Sequence, residues 1–314
     1  MLEKEISKNH YYSAGKYLLS GEYLVLDGAK AIGLPCTLGQ DMYQWETSGK
    51  GRLSWKSFLK DGRLWNSCLI DLNDWSIQES TDTDFANRLV QVLQCCFELS
   101  NKEVAVGQDL FFETRLQFES AWGLGSSSTF IANISNYFNI NPYQLLEKTF
   151  GGSGYDIAAA TASKAFVYRR DNPKEPFSEE IELNWPFKDQ MFFVYLNEKQ
   201  NSRTGIKSYR SIKASKTEAI EKVSAISDEL MTVKDLSQFQ ALIDQHEAII
   251  SSLMEMPTVK SRLFSDFEGS LKSLGAWGGD FILAVSPKGA AYCQHYFNNK
   301  GYSTILPYRQ IIKE

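Results

Sequence analysis

Residues 122–130 read WGLGSSSTF, a glycine turn that runs into three serines and then into an apolar stripe of helical period. Glycines let backbone approach a ligand closely. A turn that opens a helix aims several unpaired N–H groups at one place, and the helix dipole adds partial positive charge there. The run Gly123, Leu124, Gly125, Ser126, Ser127 and Ser128 therefore has the chemistry of a phosphate cradle. Serine hydroxyls add donors and a hard oxygen of the kind Mg2+ selects. The chain contains no G-x-x-x-x-G-K-[ST], so the Walker spacing is excluded. Taken alone, the hexapeptide reads equally well as a serine-capped helix after a flexible turn.

Two more stretches follow similar logic. In GSGYDIAAA, Asp156 opens a small-residue helix, where the dipole and nearby phosphates would keep a carboxylate ionised and placed to accept a proton. Alone, it is an ordinary cap. In LGAWGGDF a second glycine turn precedes an apolar strand and can close on a substrate or nucleotide; alone, it is a tight connection. Arg203, Lys207 and Arg210 in NSRTGIKSYR can bind an anion or form a solvated basic face. His246, four residues after Leu242 and four before Ile250, sits on an apolar helical stripe and reads as a packed histidine. The pair Cys95-Cys96 reads as helix packing.

The elements that must position these groups alternate in hydrophobic period. From Tyr11 to Leu72 short β-type runs dominate (KYLLS, EYLVL, DMYQWET, RLSWKSF, RLWNSCLI), with Asp61-Gly62 as a hairpin turn between the last two. Phe85, Leu89, Val92 and Cys96 then mark one face of a helix over 82–99, and the strand DLFFETRLQF follows. Phe130, Ile131, Ile134 and Phe138 stripe the helix after the serines. Asn141-Pro142 reads as N-cap and first-turn proline of a helix ending at Gly151-Gly152. SGYDIAAATAS predicts a short helix, and AFVYRR and MFFVYL predict strands on either side of a polar connection at 171–190. Beyond that connection come two amphipathic helices (Ile220 to Leu230, Phe239 to Leu253) and a third before GAWGGD. The chain then closes with strand FILAV, turn SPKG, helix AAYCQHYFNN and strand STIL, which suits a small α+β sandwich.

The chain's 314 residues, 43% of them hydrophobic, are enough for two domains or lobes. A net charge of -5 and the absence of a basic, aromatic-interleaved block argue against nucleic acid as a partner. Five cysteines form no C-x-x-C pair and three scattered histidines have no metal-ligand spacing, so neither a structural zinc nor a disulfide framework is expected. MLEKEISKNHYYSAGK lacks the apolar core of a signal peptide, and no run approaches the roughly 18 apolar residues of a membrane helix. The expectation is a reduced, cytoplasmic protein with no membrane partner.

Taken with SAGKYLLSGEYLVLDGAKAI, the glycine-bearing stretches occur in the order and at the distances of the GHMP small-molecule kinases, and the resemblance covers nearly the whole chain. The first family motif resembles residues 14–32, with Lys16, Gly21, Glu22, Tyr23, Val25, Gly28 and Ala31-Ile32 in place. P-x-x-x-G-L-G-S-S-[AS] resembles residues 119–128, and G-A-G-G-G resembles Gly275 to Gly279. Within the family, the Glu22-Tyr23 pair, SGYDIA and Asp280 are most similar to the phosphomevalonate kinase branch, with mevalonate kinase the runner-up. The chain departs at Ala14 and Glu119, where the family carries proline, and at Trp277, where it carries glycine.

The resemblance implies an α+β, two-lobed GHMP kinase fold. Residues 1–185 would form a lobe like domain 2 of ribosomal protein S5, holding the nucleotide-phosphate loop, and 186–314 a ferredoxin-like α/β sandwich. It implies ATP and Mg2+ as cofactors and transfer of the γ-phosphoryl group to a small-molecule substrate, and it admits a homodimer. By position, Asp156 would be the catalytic acid-base residue and Lys16 the cation that keeps it ionised. Residues 123–128 would bind nucleotide, with Ser127 and Glu147 reaching the metal. Glu22, Tyr23, Ser153, Gly154, Arg203, Gly275, Gly278, Gly279 and Asp280 would contact substrate. Two other classes remain open: a related decarboxylase acting on a diphosphorylated acid, which GYDIA and GAWGGD disfavour, and a silent binding homologue, which intact Lys16, Ser127 and Asp156 disfavour.

Overall fold

The computed structural model describes residues 7–102, 107–198, 202–275 and 277–314, and within these the side chains of Ser202 and Arg203 lie outside the described residues. The chain opens with strands β1 (Asn9–Ser20), β2 (Ala31–Ser48), β3 (Arg52–Phe58), β4 (Leu64–Asp71) and β5 (Ile77–Ser80). Helix α1 (Thr83–Leu99) and strand β6 (Gln108–Leu116) lead to helices α2 (Ser126–Phe138), α3 (Pro142–Thr149) and α4 (Tyr155–Thr161). Strands β7 (Phe166–Arg169), β8 (Phe177–Glu180) and β9 (Met191–Tyr195) precede helices α5 (Ser202–Ser211), α6 (Thr217–Thr232), α7 (Leu236–Met254) and α8 (Val259–Leu263). The chain ends with β10 (Ser270–Ser273), β11 (Phe281–Val285), α9 (Gly289–Asn299), β12 (Ile305–Pro307) and α10 (Tyr308–Ile311).

These elements form two compact units interleaved in sequence: residues 1–15, 38–120 and 125–161 in one, and 16–37, 121–124 and 162–314 in the other. In the first unit the sheet order is β5, β4, β3, β6 and the later part of β2, antiparallel except for the parallel pair β3–β6. Its core sets Trp55, Phe112 and Ile70 of the sheet against Leu89, Val92 and Cys96 of α1 and Ile131, Ile134 and Phe138 of α2. The expected helical stripes are thus the buried ones, as period 3.6 dictates for a helix lying on a sheet. The Asn141 cap read from sequence is formed, and the structure adds one at Asp82. The Asp82 carboxylate accepts from Phe85 N–H at 2.9 Å, and Asn141 Oδ1 accepts from Tyr143 and Gln144 N–H ahead of α3.

In the second unit, β10, β11, β9 and β12 make an antiparallel sheet in that order, the ferredoxin-like arrangement expected. Its core packs Phe192, Val194 and Ile282 against Phe264, Cys293 and Phe297. The early part of β2 pairs with β7, and β7 with β8. Among the described residues no helix is long and apolar enough to cross a membrane.

Several local expectations are corrected. EYLVL is not a strand: Leu24–Asp27 form a 3-10 turn bounded by left-handed Tyr23 (φ 60°) and Gly28 (φ 92°), with Leu24 and Val25 buried. The helix expected before GAWGGD is reduced to the short α8, and β10 leads into the loop, with all four residues buried. β8 lies within the connection read as polar and is exposed along its length, so no apolar alternation marks it.

Candidate functional site

The serine turn forms as its sequence dictates. Gly125, left-handed at φ 89°, is the N-cap of α2 and offers no side chain, so nothing covers the first N–H groups from that position. Thr129 N–H is the first to pair back, onto the Gly125 carbonyl at 3.0 Å. Ser128 is buried with its Oγ on the Gly125 carbonyl at 2.9 Å, while Ser127 is exposed at the helix mouth. Thr129 Oγ1 bonds Gln40 and the Ser126 carbonyl, and Asn133 reaches the Gln40 carbonyl and Ser13, which fixes α2 on the sheet of its unit. The helix therefore presents a rigid, donor-rich end.

The same unit holds Ser153, Gly154, Asp156 and Glu147. Gly154, left-handed at φ 84°, turns the chain into α4, where its carbonyl accepts from Ile157 and Ala158 N–H. Asp156 stands in the first turn of α4, half-buried, and α4 packs on α2. Glu147 is exposed on α3, which also packs on α2. Among the described residues, no three His, Cys, Asp or Glu side chains gather as a metal cage.

In the second unit, three sequence-distant stretches meet. Lys16 N–H on β1 bonds the Leu124 carbonyl at 3.2 Å. The Asp280 carboxylate lies against Gly123: a Cβ there would come within 2.4 Å of Oδ2. A Cβ on Gly275 would stand 3.8 Å from the Lys16 ammonium nitrogen. Lys16, Tyr17, Trp122, Gly123, Leu274, Gly275, Asp280 and Phe281 line one small cleft. Asp280 is itself left-handed (φ 49°) and is held through its backbone by Glu198 and Leu196, both at 2.8 Å. Gly275 (φ 68°) and Gly278 (φ 95°) supply the turn that glycine tolerates.

Tyr17, Trp122 and Phe281 were not singled out in sequence, yet they form the aromatic floor, with Phe281 edge-on to Tyr17 at 5.4 Å and to Trp122 at 5.6 Å. Burial holds the Tyr17 phenol well above its ordinary range, with Cys36 and Asp280 adding to the rise, so the hydroxyl keeps its proton. That hydroxyl is buried with no hydrogen-bond partner among the described residues.

Glu22 is fully buried and is not among the cleft-lining residues. Its Oε1 takes the Lys272 ammonium at 2.6 Å. Lys272, equally buried, also bonds Glu247 Oε1 at 3.2 Å and the Ser273 carbonyl at 2.7 Å, and the Trp277 indole N–H donates to Glu247 Oε1 at 3.0 Å. His246 accepts from Gly21 N–H at 3.0 Å through Nε2. That bond requires an unprotonated Nε2, so the 3.3 Å approach of Glu22 Oε2 is not an ion pair. Burial, and secondarily the Lys272 charge, push His246 well below its ordinary range. The packed-histidine reading therefore holds, and the network around it is new. A lone lysine in the apolar run SLKSL was its sole sequence signal.

Tyr23 stacks on Tyr209 of α5 at 5.7 Å, and its hydroxyl occupies the space a Cβ on Gly205 would need. Lys207 and Arg210 of α5 are exposed. The candidate Arg203 side chain lies outside the described residues.

No family model matches this chain, and no curated protein matches its sequence. Its fold is that of the GHMP kinases. The structure is similar to mevalonate kinase of Methanococcus jannaschii, with TM-score 0.67 at 16% identity over 96% of this chain and 98% of that one. It is similar to Streptococcus pneumoniae phosphomevalonate kinase in complex with phosphomevalonate and AMPPNP, with TM-score 0.65 at 15% identity over 93% and 95% of the two chains. Lactococcus lactis galactokinase complexed with galactose matches with TM-score 0.67 at 14% identity over 98% and 95%. At such identities the likeness is one of fold.

Proposed function

We propose that this protein is an ATP-dependent GHMP-type kinase that phosphorylates a small metabolite of the mevalonate route, with phosphomevalonate favoured over mevalonate. The observation that carries the reading is the meeting of Lys16, Gly123, Gly275 and Asp280, contributed by three separate glycine-bearing motifs, around one cleft. An ammonium, backbone turns and an unpartnered phenol in one place suit a polyanionic substrate. The uncovered N–H groups of α2 and the exposed Ser127 suit nucleotide phosphates. Mg2+, which is usually held by one or two protein oxygens plus phosphates rather than an all-protein cage, fits Ser127 with Glu147.

Bound Mg2+-ATP would supply an electrophilic γ-phosphorus whose charge is partly neutralised. Phosphoryl transfer then asks little covalent chemistry of the protein. The α2 end holds the phosphates in place, Asp156 accepts the proton of the acceptor's hydroxyl or phosphate, and Lys16 balances negative charge as it develops. The exposed basic face of α5 is suited to the acceptor's own phosphate.

The phosphomevalonate preference is supported by Tyr23, SGYDIA and Asp280 and by the phosphomevalonate complex among the similar structures. Mevalonate is the second reading, supported by the mevalonate kinase likeness. The acceptors differ by one phosphate, and a charge-assisted contact is worth roughly 1.5 to 3 kcal/mol. Discrimination of about tenfold or more in kcat/KM is therefore expected for phosphomevalonate, and Arg203→Ala should reduce it. A mevalonate preference that the substitution leaves unchanged would overturn the choice of acceptor.

A further inference from the structure

We infer that Trp277 and Glu247 act as a tether that sets the position of the glycine loop, and that through it they tune acceptor binding; the second clause rests on the kinase reading above. Trp277 stands where a loop of this kind would carry glycine, yet it is buried, packed among Tyr23, Leu24, Tyr209, Val223 and Ile250. Its indole N–H and the Lys272 ammonium converge on the same oxygen, Glu247 Oε1, at 3.0 and 3.2 Å. Lys272 also bonds the Ser273 carbonyl on the strand that enters the loop and is anchored by Glu22. One carboxylate of α7 thus grips the loop from its interior and from its entry.

Gly275 lies between the two grips, facing Lys16. Gly275 and Gly278 are left-handed and give the loop little stiffness of its own. Neither Trp277 nor Glu247 lines the cleft, so both are positioning residues. Desolvation makes the tether sensitive to any missing partner, because a buried carboxylate that loses a donor keeps its burial cost.

The test uses Trp277→Phe, which keeps an aromatic ring in the cluster while removing the donor and part of the indole's bulk, beside Glu247→Gln, which keeps an oxygen to receive the indole. Amide hydrogen exchange across residues 274–281 should quicken in Trp277→Phe and remain near wild type in Glu247→Gln. In steady-state assays Trp277→Phe should raise the acceptor KM about tenfold, the loss expected from one charge-assisted hydrogen bond, while the ATP KM and kcat change less than about twofold. Glu247→Gln should leave the acceptor KM near wild type. Unchanged loop exchange in Trp277→Phe overturns the tether. Faster exchange with an unchanged acceptor KM overturns the tuning. Should the wild-type chain phosphorylate no acceptor, the kinase reading fails and the tuning with it, whereas the exchange data still decide the tether.

Discussion

The Asp280 carboxylate rests against Gly123, so the Gly123 backbone and the second glycine loop meet where a methyl group would not fit. Gly123 is also left-handed, at φ 65°. Gly123→Ala therefore combines backbone strain of about 1 to 3 kcal/mol with a clash on Oδ2. The variant is expected to melt a few degrees lower and to bind Mg2+-ATP more weakly by calorimetry. Wild-type affinity would show that the turn does not need this close approach.

Ser127 is exposed at the uncovered end of α2, so Ser127→Ala should leave the melting temperature within about a degree, since surface substitutions change stability little. Mg2+-ATP affinity or turnover should fall by about tenfold, in line with the loss of a charge-assisted contact. Unchanged binding and kinetics would remove the serine from the nucleotide site.

Asp156→Asn preserves shape while removing charge and proton acceptance. Loss of a general base typically costs about 10² to 10⁴ in rate, so kcat should drop within that range while ATP still binds. Calorimetry showing ATP affinity abolished, with kcat per bound enzyme intact, would make Asp156 a structural cap.

The buried network predicts a pH signature. Burial pushes the Glu22 carboxyl from 4.5 up to about 7, against the pull of Lys272 and with Glu247 adding to the rise. A carboxyl raised in the fold binds its proton more readily there than in the unfolded chain, so its contribution to stability falls as pH rises through that window. His246, held neutral, acts in the opposite sense: the unfolded chain takes up the proton first, and stability is lost as pH drops below about 6.5. Glu22→Gln deletes the first slope and keeps the second. By urea denaturation its stability relative to wild type should therefore improve as pH rises from about 4.5 to about 7. A difference that is constant with pH would contradict the buried-carboxyl assignment.

Much of this fold was legible because period and caps agree. Asn141-Pro142 and the stripes on α1 and α2 each name the same helices that packing buries. The apolar run EYLVL carried no such agreement, because glycines at 21 and 28 with left-handed φ close it into a turn whatever its β propensity. β10 stayed hidden because a lysine inside a strand signals exposure, whereas Lys272 is buried by two carboxylates that lie 250 and 25 residues away in the chain. The cleft residues Lys16, Gly123, Gly275 and Asp280 were found through motif order. Tyr17 and Phe281, which complete the same cleft, are ordinary strand residues in sequence and become visible only through packing.

The most direct test of the central claim is transfer of the γ-phosphoryl group itself. Purified chain would be incubated with γ-labelled ATP, Mg2+ and, separately, phosphomevalonate, mevalonate, galactose or homoserine. The account predicts that label moves from ATP to phosphomevalonate in preference to the other three, that ADP forms in equal amount, and that removing Mg2+ with EDTA stops the transfer. Bound ATP with no label in any acceptor and no acceptor-dependent ADP would contradict it.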